Sequence, residues 1–279
     1  LQVASATCHS VMHINVLDQF HNGDSPIHRL DPRVKLLGAL AFILTAALTP
    51  DGAWLAFVAL AVLWLALVLM ADVPPGLLLR RGLVALPFAA AAVTVLFTLP
   101  GQALLTVHVP VFGWQLTISN AGVVRFVTIM LKSGVSVLMA TLLAATTTFP
   151  DLLRAMRGIG IPKVLVGTIG FMYRYIFVLV DEVQTMLRAR DARSAAGPAG
   201  QRAGGTVFWR ARIVGGMVGS LFVRSLARSE RVYQAMASRG YAGELRWLDK
   251  PKVKSMDIVW LAVMVLVLLM IQLWARLVA

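Results

Sequence analysis

Apolar residues fall in long runs separated by short polar breaks, and that pattern predicts helices that cross a membrane. Five runs read as spans: 34–48, 53–71, 83–99, 122–146 and 258–274. About 20 apolar residues cover a hydrocarbon core of roughly 30 Å. The first run is short, so Arg33 and Lys35 at its start are expected to snorkel to the interface. The breaks carry their own signals. Asp31-Pro32 reads as a helix start, with Asp as N-cap and Pro at the first helical position. Thr49-Pro-Asp-Gly52 is a turn, Asp72-Val-Pro-Pro-Gly76 ends the second span, and Pro87 kinks the third or marks a re-entrant start. Residues 106–117 alternate around Pro110-Val-Phe-Gly113, which predicts a small β-hairpin.

Between the fourth and fifth spans lies a polar and basic block, 149–255. Pro150-Asp151 opens a short helix over 152–157, closed by Gly158-Ile-Gly160. Pro162 starts a second helix reaching about Arg190, apolar over 164–180 except for Arg174 and polar from Asp181 to Arg193. A loop containing Gly197-Pro-Ala-Gly200 and Gly204-Gly205 precedes a third helix over 207–238. The organisation expected is an N-terminal arm (1–32), four transmembrane helices (33–148), a cytoplasmic domain (149–255) and a fifth transmembrane helix (256–279). The fold class is all-α polytopic membrane protein, with two long crossing helices and one short helix in the cytoplasmic domain.

Composition supports that class. Hydrophobic residues make up 58% of the 279 positions and charged residues 14%, against about a quarter charged in soluble domains. No cleavable signal peptide is expected from the start of the chain, and the single cysteine, Cys8, excludes an intramolecular disulfide framework. The net charge of +13 is unevenly placed. Residues 1–35, the break at Arg80-Arg81 and the block 149–255 hold 23 of the 26 basic residues, whereas the breaks at 49–52 and 100–121 hold none. With five spans the basic segments share one side, so the N-terminus is expected inside and the C-terminus outside. Cytoplasmic loops that collect Lys and Arg, and a basic helix resting on anionic lipid or on a partner, account for the charge, and no nucleic-acid-binding motif accompanies it.

Several residues are candidates for function. Gly215 and Gly219, and Gly216 and Ser220, are small pairs four apart on the third helix, while the second helix offers Gly167 and Gly170. Such spacing permits close helix approach, so the two helices are expected to cross at these glycines. Arg224, Arg228 and Arg231 share one face and are expected to meet lipid phosphate or acidic groups of a partner, because like charges so placed repel. Arg190 and Arg239 stand at helix C-termini, where the helix dipole favours a cation, with Arg193 three residues beyond the first and Gly240 directly after the second. Within the fourth span, Arg125 is near an end and Lys132 is deeper; Lys132 suits a structural ion pair or a transport role. Cys8, His9 and His13 have spacing that could suit a transition metal, but a flexible or interfacial arm with scattered histidines is the reading adopted; no metal site and no cofactor is assigned. No Walker A, His-Glu-x-x-His or Gly-x-Ser-x-Gly motif is present, so the chain is not expected to be an enzyme.

A resemblance rests on Asp31-Pro-Arg-x-Lys35, Arg157-Gly-Ile-Gly-Ile-Pro162, Arg174-Tyr175, Glu182 and the string from Arg224 to Arg239-Gly-Tyr241. From about residue 18 onward the chain resembles the transmembrane T component of energy-coupling factor (ECF) importers, the EcfT/CbiQ family, most of all its cobalt-importer branch. The resemblance implies a bacterial plasma-membrane protein coupling two ATP-binding cassette ATPase subunits to a CbiM-like substrate-binding S subunit, with cobalt, or else nickel or a vitamin, as cargo. In that family an arginine of an Ala-Arg-Gly-like triplet ends each coupling helix and docks in an ATPase; by position these are Arg190 and Arg239. Ala189-Arg-Asp191 lacks the glycine and Ser238-Arg-Gly240 lacks the alanine, so Arg193 is a further candidate for the first role. A stand-alone secondary transporter would instead require inverted repeats with ionisable residues at mid-membrane.

Overall fold

The computed structural model describes residues 23, 25–82, 93–94, 103–109, 114–193, 206–243 and 254–278. The elements follow as α1 (Pro26–Arg29), α2 (Pro32–Leu48), α3 (Trp54–Ala71), α4 (Pro75–Gly82), β1 (Ala103–Val109), β2 (Trp114–Ser119), α5 (Asn120–Thr146), α6 (Phe149–Gly158), α7 (Lys163–Arg193), α8 (Val207–Ala237) and α9 (Ser255–Val278). The protein is an all-α polytopic membrane protein with a small antiparallel hairpin, β1–β2, where the alternating residues predicted one. Cys8, His9, His13 and Pro87 lie outside the described residues, as does the third expected span apart from Val93 and Thr94.

Two compact units form, one from residues 1–159 and 249–279, the other from 160–248. In the first, α2 is central and touches α5, α6 and α9, while α3 lies against α5 and α9. Phe42 and Ala46 of α2, Leu60, Trp64 and Val68 of α3, Met139 and Leu142 of α5 and Leu268 of α9 make its core. The buried residues of α3 recur at helical spacing, from Ala56 and Phe57 through Leu60, Trp64 and Val68 to Ala71. The opposite face, with Leu55, Val58, Val62 and Leu69, is exposed and equally apolar. A helix that is apolar all round, with one face left open, is at home in hydrocarbon. Four described helices are long and apolar enough to cross a membrane: α3, α5, α7 and α9. α2, the first expected span, has 17 residues and is not among these four. α7 enters this group because its first half is apolar, although the sequence assigned it to the basic block.

Polar ties close the first unit. The last carbonyls of a helix have no partner within it. Gln272 Nε2 of α9 donates to the carbonyl of Leu48 at the end of α2 (2.9 Å). Lys35 Nζ donates to the carbonyl of Thr146 at the end of α5 (3.0 Å) and to that of His28 in α1 (3.1 Å). Lys35 therefore turns inward and does not snorkel. Asp31 caps α2 by accepting from the Arg33 backbone N–H at 2.9 Å. The Arg33 side chain lies over Gly158 of α6, where a Cβ would collide with its guanidinium. That glycine and the buried Leu153 and Ala155 hold α6 against α2, so α6 packs in the first unit and not with 160–248. Lys132 reaches Asp51 at 3.3 Å, and Arg125 approaches the same carboxylate at 3.8 Å. Lys132 is thus one side of an ion pair with the turn before α3.

Candidate functional site

The second unit is built from α7 and α8. Thr206 opens α8, its hydroxyl accepting from the Trp209 backbone N–H at 3.3 Å, as an N-cap does. The other end of α8 closes on a left-handed glycine. Gly240 has φ +80°, its N–H donates to the Ala237 carbonyl, and the Tyr241 N–H donates to that of Met236, both at 3.0 Å. These bonds make a Schellman motif. Arg239 stands just before the glycine and is exposed. The chain then turns back, and Tyr241 meets Phe171 of α7 edge-to-face with ring centroids 6.2 Å apart.

Glu182 of α7 faces two arginines of α8. Its Oε1 accepts from Arg224 Nη1 at 2.8 Å, and its Oε2 lies 3.6 Å from Arg228 Nη2. Because Phe171 meets Tyr241 while Glu182 meets Arg224, α7 and α8 run antiparallel. Arg224 and Arg228 were expected to face lipid or a partner. Both also contact Glu182 of α7, whose carboxylate offsets the repulsion between them, and Arg224 and Arg231 are exposed.

Beyond Glu182 the helices leave between them a cleft of about 920 Å³, lined among others by Arg190 and Arg193 of α7 and Trp209, Arg210 and Gly216 of α8. Arg190 is held by its own neighbour: Nη2 and Nε donate to Asp191 Oδ1 at 2.7 and 3.0 Å. The antiparallel register overturns the expected glycine crossing. Gly167 and Gly170 lie near Phe171, towards the Tyr241 end, whereas Gly216 lines the cleft with Arg190 at the other end. A Cβ at Gly215, Gly216 or Gly219 would meet nothing within 4 Å. The glycines of α8 therefore do not set the contact between these helices.

The family model described as cobalt transport protein, CbiQ, matches residues 23–250. The chain belongs to the CbiQ family. Its relatives include an energy-coupling factor transporter transmembrane protein EcfT of Lactococcus lactis, 30% identical over 275 residues, covering 90% of this chain and 96% of that one. An uncharacterized protein of Methanocaldococcus jannaschii is 26% identical over 254 residues, covering 90% and 83%. The EcfT of Acidaminococcus fermentans is 28% identical over 247 residues, covering 81% and 83%. In this member of the CbiQ family, Asp31-Pro-Arg-x-Lys35 joins the start of α2 to α5 and α6 through the contacts above. Spacing had marked Asp31 as a cap, but Arg33 reaches Gly158 and Lys35 reaches Thr146, each more than a hundred positions away. Nothing in the local sequence announces them. Asp51 was missed for the same reason, being an ordinary turn acid until α5 brings Arg125 and Lys132 beside it.

Proposed function

We propose that this chain is the transmembrane T subunit of an ECF importer for cobalt ions, and that Arg239 and Arg190, with Arg193 beside it, join it to two ATP-binding cassette ATPase subunits on the cytoplasmic side. The membership and the EcfT relatives support the role; the description of the matching family supports the cargo. The observation that carries the coupling assignment is the end of α8, where Gly240 ends the helix sharply and leaves Arg239 exposed at a dipole-favoured position. A guanidinium offers a planar fork of donors, so it is matched in direction as well as charge to a carboxylate or a row of carbonyls in a partner's groove. On this reading ATP-driven closure of the two ATPases moves α7 and α8, and the spans reorient an S subunit that carries the ion. The chain is not itself catalytic.

Arg239→Ala tests the reading. Loss of one desolvated charged partner at an interface costs about 2–5 kcal/mol, or roughly thirtyfold or more in affinity. The full complex, purified in detergent with tagged ATPase subunits, is expected to lose them at least partly in Arg239→Ala and wholly in Arg190→Ala/Arg239→Ala. Arg239→Lys should rescue poorly for want of the fork. Normal subunit stoichiometry and Co²⁺ uptake in the double variant would remove the proposal.

A further inference from the structure

We infer that Glu182 is a positioning residue that makes α7 and α8 move as a single lever with an arginine at each end. The inference rests on the coupling role proposed above. Because the helices are antiparallel, the two arginine ends lie far apart. Arg190 shares the cleft with Gly216, and 23 residues of α8 separate Gly216 from Arg239, about 35 Å along the helix at 1.5 Å per residue. Glu182 lies eight residues before Arg190, about 12 Å, and Arg228 lies eleven before Arg239, about 16 Å. The ion pairs therefore sit near the middle, between the two ends.

A half-buried stripe of α8 that includes Leu221, Ser225 and Val232 runs past this middle, and the ion pairs are its charged part. α8 has no buried residue, and the cleft opens on one side of the ion pairs. On the other side lies the Phe171–Tyr241 contact. Arg224 and Arg228 are one turn apart and repel each other. One carboxylate with an arginine on each oxygen turns that repulsion into a clamp: both cations are drawn to the same point on α7, and neither is free to swing α8 away. Removing Glu182 would take away both attractions and leave the repulsion. A push delivered at Arg190 would then bend α7 away from α8 and not reach Arg239.

The test uses the whole complex in liposomes with Glu182→Gln, which keeps size and polarity and loses the charge. Spin labels at Gln184→Cys and Ala227→Cys, in a Cys8→Ser background, report the spacing of the helices beside the clamp. Glu182→Gln should broaden the distance distribution and leave the ATPases bound. It should also lower the Co²⁺ taken up per ATP hydrolysed by about fivefold, the scale of one exposed ion pair. The reversed set, Glu182→Arg with Arg224→Glu and Arg228→Glu, should narrow the distribution and restore the ratio. An unchanged distribution in Glu182→Gln, or uptake and hydrolysis falling in equal proportion, would overturn the inference. So would a reversed set that behaves like Glu182→Gln. If the wild-type chain retains no ATPase, the coupling role fails, and the label distances still report whether Glu182 clamps the helices.

Discussion

Arg190 in the last turn of α7 and Arg239 just past the end of α8 have opposite surroundings. Asp191, standing where the family triplet has glycine, already holds the Arg190 guanidinium, while Arg239 precedes a glycine that has no side chain to hold anything. An acid near a helix C-terminus also opposes the dipole, by about 0.3–1 kcal/mol. Asp191→Ala is therefore expected to free Arg190 and tighten ATPase binding severalfold, by a change on the order of 1 kcal/mol; calorimetric titration with purified ATPase subunits measures it, and unchanged affinity would mean that Arg190 is not in the joint. Gly240→Ala acts in the opposite direction. At φ +80° a Cβ is strained, so the end of α8 should loosen at a cost of about 1 kcal/mol. Slower loss of amide protons around Tyr241 in that variant would contradict the assignment.

At the scale of elements, helix ends and open faces decide what each substitution does. Lys35→Met would leave the carbonyls of Thr146 and His28 without their donor. A buried acceptor left unpaired costs about 1–3 kcal/mol, so the variant should melt several degrees lower in detergent while the ATPase joint is untouched. A melting point equal to wild type would show that the Lys35 tie contributes nothing. The glycines of α8 give the reverse case. Space around Gly215 and Gly219 is open, so an alanine there meets no neighbour. Each such change should stabilise the helix by about 0.5–1 kcal/mol through backbone entropy. Helical spacing alone made these glycines look like a crossing; the outcome depends on what lies opposite, which spacing does not carry.

At the scale of the whole molecule, the loop charges and the apolar half of α7 give opposite expectations for the side of Thr206. The loop charges place 149–255 inside, on the side of Arg33 and Lys35, with the turn at 49–52 outside. α7 is nevertheless long and apolar enough to cross, which would put Thr206 outside. In a Cys8→Ser background, an impermeant maleimide added to intact cells should label Ala53→Cys and not Thr206→Cys; labelling of Thr206→Cys from outside would make α7 a span.

Runs of apolar residues determined the spans because hydrocarbon imposes one local condition, an apolar surface over a helix long enough to cross. α3, α5 and α9 were legible for that reason, as was the β1–β2 hairpin from its alternation about a turn. Helix ends were legible where the signal is local, as at Asp31, which accepts from a backbone N–H two residues on. Tertiary structure decided the pairings. Glu182 with Arg224 and Arg228, Lys132 with Asp51, and Arg33 over Gly158 join positions 42 or more apart in the chain. A charge read in isolation has lipid, water and partner as equal candidates. Only the fold brings an opposite charge or an open carbonyl within 3 or 4 Å, and at that distance the Coulomb and hydrogen-bond energies choose.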